Sequence, residues 1–177
     1  MDTWHVEPIL DRPAALARGL QRFGAAGLSL RLAALRRQIE CDYPLTLALD
    51  IVNREAADGL PPDLTDIIHA ILHEAVLNAA RHAEAAIVRV VVHVNGGVVL
   101  LTIADDGKGF PFIGTYDLRA LDALGVGPRH IALGVAARGG ALTLDSHRAG
   151  TRLDIVLPRE IARPVVAMDD VPAVAAE

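Results

Sequence analysis

Apolar residues recur at helical spacing in three parts of the first half of the chain. This spacing predicts short helices over Pro13–Phe23 and Leu28–Glu40, separated by Gly24-Ala25-Ala26-Gly27. The strongest pattern covers Leu64–Ala83, because at about 100° per residue its apolar positions fall in one sector. Those positions are Leu64, Ile68, Leu72, Ala75, Val76, Ala79 and Ala83. We expect that sector to face a sheet.

Runs rich in β-branched residues predict two hairpins further along the chain. The first joins Ile87–Val94 to Val98–Ile103 through Asn95-Gly96-Gly97, a strong turn signal. The second joins Ala141–Ser146 to Thr151–Leu157. Both pairs are therefore expected to form antiparallel strands of one sheet.

A further strand is predicted over Leu45–Val52 and a further helix over Pro128–Arg138. The order is then strand, helix, hairpin, loop, helix, hairpin. It predicts an α/β (α+β) two-layer sandwich, in which helices cover one face of a mixed, mostly antiparallel sheet. We expect an N-terminal helical appendage over 1–42, one domain over 43–160 and a flexible tail over 161–177.

Composition and charge exclude several classes of protein. Of 177 residues, 52% are hydrophobic and only 3% aromatic, which is enough apolar material for one packed domain. The net charge is −5 with scattered cations, so no nucleic-acid partner is expected. Cys41 is the only cysteine, which excludes a disulfide within the chain. No apolar run approaches the roughly 20 residues of a membrane span, and no signal peptide is evident. We expect no membrane insertion and a cytoplasmic location.

The first candidate for chemistry is a polar strip on the long helix. Glu74, Asn78, Arg81 and His82 lie within about 100° of one another, beside the apolar face. The amide oxygen of Asn78 can coordinate Mg²⁺, Glu74 can hold or deprotonate a group, and Arg81 can neutralise phosphate charge. The alternative is the solvated edge of an amphipathic helix, which the strip alone does not exclude.

The second candidate follows the strand that ends near Ile103. Asp105 is followed by Gly107, Lys108 and Gly109, so backbone can come close to a flat ligand. The Asp105 carboxylate can accept a hydrogen bond from an exocyclic amine such as that of adenine. The alternative is an ordinary hairpin turn, where Asp and Gly are common.

Two smaller candidates lie later in the chain. Gly125 and Gly127 precede Pro128 and a predicted helix, and glycine amides at a helix N-terminus form an anion site. Thr151 follows Gly150 at the start of the last strand, where its hydroxyl can reach a ligand or cap a turn. Alone, the first is equally a flexible linker and the second is uninformative.

Taken in order, the candidates carry a resemblance to a known superfamily. The chain resembles the GHKL ATPases, and most closely sensor histidine kinases of the nitrate-sensor and desaturase-regulator class. Glu74–Ala83 is similar to their N box, Asp105–Phe110 to the G1 box and Gly125–Gly127 to the G2 box. Val135–Thr151 is similar to the segment that closes the domain, and the resemblance covers roughly residues 43–158.

The resemblance implies the Bergerat ATP-binding fold with ATP and Mg²⁺ as cofactors. It implies Asn78 on the metal, Glu74 beside the attacking group, and residues 110–124 as a mobile lid over the nucleotide. It implies these further nucleotide contacts: Arg81, His82, Asp105, Gly107, Lys108, Gly109, Gly125, Gly127 and Thr151, with Thr151 beside Asp105 through water. The chain departs from the pattern at Pro128, where the family has Leu, and at Ile131-Ala132-Leu133-Gly134, where it has a charged run.

A histidine kinase also needs a phosphoacceptor histidine on a helical hairpin. No histidine lies between His5 and His69, and Pro8 and Pro13 interrupt any helix near His5. The sequence therefore indicates either a piece of a longer kinase or a module that acts on another chain. The expected partners are a phosphoacceptor histidine domain or a response regulator protein, together with a homodimer through the N-terminal helices, Leu28–Leu35 in particular.

Three functions remain open at this point. The first is the catalytic domain of a two-component histidine kinase, which presents the γ-phosphoryl of ATP to a protein histidine. The second is a serine kinase of the anti-sigma-factor type acting in trans. The third is a non-catalytic, nucleotide-dependent interaction module.

Overall fold

The computed structural model describes residues 26–160 and contains six helical segments and six strands there. Its helices include one π-helical turn, Ala79–Ala83, which continues α3. In chain order the elements are α1 Leu28–Asp42, β1 Thr46–Val52, α2 Arg54–Asp58, α3 Pro62–Asn78 with its π-helical turn, β2 Ile87–Asn95, β3 Val98–Asp105, β4 Gly114–Asp117, α4 Leu118–Leu124, α5 Arg129–Ala137, β5 Ala141–His147 and β6 Gly150–Pro158. Within 26–160, no helix is both long and apolar enough to cross a membrane.

The strands form one mixed sheet in the order β1-β2-β3-β6-β5-β4. Only β1 and β2 run parallel, and the other neighbours are antiparallel. Side chains alternate across the sheet, so Leu101 and Ile155 are buried while their neighbours Leu100 and Val156 are more than a third exposed. One face therefore packs against helices and the other is open. This confirms the predicted two-layer sandwich.

The helix α1 belongs to the same core as the sheet. Its apolar face, Leu28, Leu32, Leu35 and Ile39, is at most 3% exposed and lies in one cluster with α3 and the strands. The predicted division at residue 42 therefore does not coincide with a break in packing. It also follows that the Leu28–Leu35 face, predicted as a dimer surface, is occupied within the domain. The predicted helix over 13–23 and the tail from 161 lie outside the described residues.

The long predicted helix is divided near its end. After Asn78 the chain winds as a π-helix, in which the Glu84 N–H bonds to the Ala79 carbonyl. A π-helix has more residues per turn than an α-helix, so each residue rotates less about the helix axis. Three residues after Asn78, Arg81 has therefore not returned as far towards the helix face of Asn78 as α-helical spacing predicts.

The segment 110–124, predicted as a mobile lid, contains secondary structure that the sequence pattern did not indicate. β4 pairs with β5 over four residues, and α4 follows directly. Phe112 lies 5.2 Å from Phe110 and 5.1 Å from Tyr116 between ring centroids. A strand of four residues is too short for alternation to be recognised. The five-residue helix α2 is likewise too short for a helical period to be recognised, so it was not predicted either.

Arg138 ties three elements together from a buried position. Its guanidinium donates to the Asp63 carboxylate at the start of α3, to the Arg159 carbonyl at 2.8 Å and to the Pro158 carbonyl at 3.3 Å. Its side chain is 3% exposed, whereas that of Asp63 is 61% exposed. One guanidinium thus joins the end of β6 to the start of α3 through three separate donors.

We expect Arg138→Met to lower the free energy of unfolding by about 2 kcal/mol, because the partly buried carbonyls of Pro158 and Arg159 lose their donor. Equilibrium urea unfolding measures this loss. The control is Asp63→Asn, which removes only the exposed partner and should cost clearly less. Equal losses in the two variants would contradict this account of Arg138.

Candidate functional site

Three polar side chains form a row at one end of the sheet, on the face that packs against the helices. Asp105, Thr151 and Ser146 are aligned across β3, β6 and β5 by the strand register. Ser146 is fully buried, Thr151 is 8% exposed and Asp105 is half-buried. The Asp105 carboxylate accepts a hydrogen bond from the Gly107 N–H at 2.9 Å. The strand register places Thr151 directly opposite Asp105.

The two adjacent carboxylates of this turn have different surroundings. Burial raises the pKa of Asp105, and the hydrogen bonds from Gly107 and Thr151 only partly oppose that effect. Asp106 is exposed and accepts from the N–H groups of Ala86 and Ile87 at 2.8 Å each, so its pKa is lowered. Asp106 therefore holds the start of β2, and Asp105 is the carboxylate on the inner face of the sheet.

The glycines of the turn are required by close packing against the protein backbone. A Cβ on Gly107 would lie 2.4 Å from the Ala83 carbonyl oxygen, and one on Gly109 would lie 2.1 Å from that of His147. The Lys108 N–H donates to the Ala83 carbonyl at 2.9 Å. These contacts bring the turn after β3 against the end of the π-helical turn.

Ser146 belongs to the closing segment Val135–Thr151 that carries the resemblance, but no contact was predicted for it. Its hydroxyl accepts from the Phe110 N–H at 2.9 Å and so fixes the other end of the turn. The alternation of β5 places it on the buried face, and a hydroxyl at an inward strand position is the signal that identifies it.

Glu74 and Asn78 lie together one helical turn apart. The Asn78 amide nitrogen donates to Glu74 Oε1 at 3.4 Å, and His130 Nδ1 at the start of α5 lies 3.8 Å from the same oxygen. Asn78 Oδ1 accepts no hydrogen bond from the residues that the structure describes. A hard cation such as Mg²⁺ prefers an oxygen of this kind.

The donor set suits a metal held partly by a ligand rather than by the protein alone. Within residues 26–160, no group of three His, Cys, Asp or Glu side chains can hold an ion. Mg²⁺ commonly binds through one or two protein oxygens while waters and phosphates complete the octahedron. Asn78 therefore fits Mg²⁺ that arrives with a phosphate ligand.

The two cations predicted to contact phosphate have partners on the protein. Arg81 Nε donates to the Tyr43 hydroxyl at 2.9 Å, and its guanidinium lies 5.8 Å from the Tyr43 ring centroid. Lys108 Nζ lies 2.7 Å from Glu84 Oε1 on the exposed surface. His82, the remaining polar residue of the π-helical turn, is exposed.

The predicted anion site lies in the connection between α4 and α5. Gly125 ends α4 in a left-handed conformation, with φ 64°, and Gly127 has φ 88°. Pro128 is the N-cap of α5 rather than a residue of its first turn, and no side chain caps that end. The first backbone N–H groups of α5 thus have no side-chain acceptor among the described residues. They lie near Glu74, because His130 in the first turn of α5 contacts the Glu74 carboxylate.

Two cavities in the described part of the chain are not lined by the predicted base and metal ligands. One, of about 360 Å³, is lined by Tyr43, Ala80, Glu84 and neighbouring residues. The other, of about 130 Å³, is lined by Arg31 and Thr65 among others. Neither is lined by Asn78 or Asp105. The structure brings the turn after β3 to the end of the helix that carries Asn78.

Residues 63–161 match the family described as histidine kinase-, DNA gyrase B- and HSP90-like ATPases. The chain is 27% identical to the sensor histidine kinase MctS of Rhizobium johnstonii over 172 residues, which cover 88% of this chain and 37% of MctS. It is 27% identical to the sensor histidine kinase YxjM of Bacillus subtilis over 143 residues, which cover 78% of this chain and 33% of YxjM. The chain thus spans about a third of the length of these relatives.

Solved structures share the fold. The blue-light activated histidine kinase of Erythrobacter litoralis EL346 superposes with a TM-score of 0.63 and 19% identity, covering 82% of this chain and 46% of that one. The ATP binding domain of PrrB from Mycobacterium tuberculosis superposes with a TM-score of 0.51 and 19% identity, covering 75% and 93%. At these identities the likeness concerns the fold.

The close approach at Gly107 generates a prediction about stability. Gly107→Ala is expected to lower the free energy of unfolding by about 2 kcal/mol, because the new methyl group meets a backbone oxygen that cannot move freely. The control is Gly97→Ala, whose Cβ would have no neighbour within 4 Å. Urea unfolding should place this control within about 0.5 kcal/mol of wild type. A neutral Gly107→Ala would contradict the packing described.

The raised pKa of Asp105 generates a second prediction. Folding stabilises the protonated carboxyl, so the contribution of Asp105 to stability falls as the pH rises from its ordinary pKa of 3.8 through the raised folded value. At pH 7 the ionised group therefore lowers stability. We expect Asp105→Asn to unfold at the same or a higher temperature than wild type at pH 7, and to lose any advantage below about pH 4.

The matched control for Asp105→Asn is Asp106→Asn, for which the sign is opposite. The lowered pKa of Asp106 means that its contribution is present above pH 3.8 and is lost as the pH falls through the folded value. Asp106→Asn should therefore unfold at a lower temperature than wild type at pH 7. Thermal unfolding at pH 7 and pH 3.5 measures both variants, and a marked destabilisation by Asp105→Asn at pH 7 would show the assignment to be wrong.

Proposed function

The chain belongs to the family of histidine kinase-, DNA gyrase B- and HSP90-like ATPases, and we propose that it is the ATP–Mg²⁺-binding catalytic domain of a histidine kinase. In this function it presents the γ-phosphoryl group of ATP to a histidine on a partner domain. The observation that carries the proposal is the contact of the Asp105 turn with the end of the helix that bears Asn78.

The Asp105 carboxylate is the group proposed to recognise adenine. It is half-buried, and its hydrogen bond from the Gly107 N–H fixes the orientation of the carboxylate. The lone pairs that remain therefore point in one direction and can accept a further hydrogen bond. An exocyclic amine donates to such an oxygen, whereas a 6-oxo purine presents an acceptor in the same place. This chemistry favours adenine over hypoxanthine.

Asn78 and Glu74 are the residues proposed for the metal and for the attacking group. Asn78 would hold Mg²⁺ through its free amide oxygen while its nitrogen stays on Glu74. Mg²⁺, when bound, supplies neutralisation of the phosphate charge. Glu74 would accept a hydrogen bond from the attacking imidazole and orient it. Because His130 also lies beside Glu74, the start of α5 is close to the same place.

The phosphates are proposed to meet backbone amides and cations. The connection through Gly125 and Gly127 and the uncapped start of α5 offer N–H groups to an anion. Arg81 and Lys108 supply positive charge, and Lys108 must exchange Glu84 for phosphate to do so. Catalysis then consists of positioning and charge stabilisation rather than covalent chemistry by the protein.

The partner is proposed to be a phosphoacceptor histidine domain, from which a response regulator receives the phosphoryl group. A cytoplasmic location agrees with a supply of ATP. Acid-labile phosphate on the partner supports a histidine target, and acid-stable phosphate would instead indicate the serine kinase function.

Calorimetric titration tests the site. We expect Asn78→Asp to weaken Mg-ATP binding at least tenfold, because a carboxylate replaces a neutral ligand beside the triphosphate. Asn95→Asp, in the exposed first hairpin, makes the same chemical change away from the site and should leave binding unchanged.

Asp105→Asn should weaken ATP binding by a similar factor and also reduce the preference for ATP over ITP, since a carboxamide can donate to a 6-oxo group. Asp106→Asn should keep that preference. Undiminished Mg-ATP affinity in both Asn78→Asp and Asp105→Asn would remove the site from consideration.

A further inference from the structure

Tyr43 is not part of the N box, yet it makes the side-chain contact that orients an N-box cation. We propose that Tyr43 is a positioning residue that holds the Arg81 guanidinium for contact with the nucleotide phosphates and so links the end of α1 to the site. This inference rests on the proposed function.

The contact is a hydrogen bond combined with an aromatic face. Arg81 Nε donates to the Tyr43 hydroxyl at 2.9 Å, and the guanidinium carbon lies 5.8 Å from the ring centroid, within range of a cation–π interaction. Tyr43 is itself fixed, because it ends α1 with its N–H on the Ile39 carbonyl at 2.9 Å. Its side chain is also partly buried against the core, so the hydroxyl has less freedom than the long Arg81 side chain that it contacts.

The bond to Tyr43 orients the guanidinium and leaves its terminal N–H donors available. Arginine has five N–H donors in a rigid plane, and only the Nε donor is bonded to Tyr43. The two terminal amino groups make no hydrogen bond with the described residues. They form the edge of the guanidinium that can bind a phosphate in a bidentate manner.

The charge of Arg81 also acts on the side of the helix that carries the proposed catalytic residues. Arg81 contributes to lowering the pKa of His73, after the larger effect of burial. His73 immediately precedes Glu74. The positive charge of Arg81 thus acts on this part of α3 while Arg81 Nε remains bonded to the Tyr43 hydroxyl.

Without the hydroxyl, Arg81 has another position available. The groove of about 360 Å³ is lined by Tyr43 and Ala80 and also by Glu84. The Glu84 carboxylate is exposed and attracts cations, as its contact with Lys108 shows. Loss of the Tyr43 hydroxyl should therefore let Arg81 turn towards Glu84 and away from the nucleotide.

A double-mutant cycle tests the inference, with Tyr43→Phe, Arg81→Ala and the double variant titrated with Mg-ATP and with adenosine. We expect Tyr43→Phe to weaken Mg-ATP binding about threefold to tenfold, the worth of one hydrogen bond. Adenosine, which lacks phosphate, should bind equally well. In the Arg81→Ala background, Tyr43→Phe should have no further effect, because the group that it positions is absent.

A purely structural role for Tyr43 gives a different result. It predicts equal losses for Mg-ATP and adenosine, and losses that add in the double variant; either outcome would overturn the inference.

The test separates this inference from the proposed function. If wild type binds Mg-ATP in a manner sensitive to Asn78→Asp, the proposed function stands, and an unchanged ratio of ATP to adenosine affinity in Tyr43→Phe overturns the inference alone. If wild type binds no adenine nucleotide, both are overturned.

Discussion

The arrangement of the site depends on one backbone contact, the hydrogen bond from the Lys108 N–H to the Ala83 carbonyl. Gly107 permits it, because any side chain at that position would meet the same carbonyl oxygen. The contact joins the end of β3 to the end of the α3 helix, and with it the carboxylate of Asp105 to the helix that carries Asn78. Phe110 and Ser146 secure the other end of the turn. The polar groups of the site are thus placed by packed backbone rather than by mobile side chains.

Much of the fold could be predicted because its long elements have clear periodicities. The α3 helix and the two hairpins lie where the patterns placed them, within a few residues. The role of α1 could not be read from the sequence, since an amphipathic helix can bury its face in its own domain or against another copy. Packing decides this, and Leu28 and Leu32 lie in the common core. The pairing of the buried Arg31 with the partly exposed Asp66 joins α1 to α3 and depends on residues far apart in sequence.

Less of the site could be predicted, and the reason is local geometry. Asp105 and Thr151 lie opposite each other because strand register aligns them. The directions of Arg81 and Lys108 depend on the π-helical turn, which α-helical spacing does not anticipate. Ser146 was recognised only as part of the closing segment, because strand alternation shows that its hydroxyl faces inward but not which group it binds. Residue types were therefore recognisable from sequence, whereas side-chain directions required the backbone.

The position of β4 has a consequence for how the protein behaves in solution. β4 covers the outer side of β5, whose N–H and C=O groups would otherwise form an open edge for another chain. The strand is only four residues long and ends at Asp117, so it offers a poor template for continued pairing. The segment that the resemblance assigns to the lid therefore also protects the sheet against self-association. Any movement that detaches β4 from β5 would expose a seven-residue edge to aggregation.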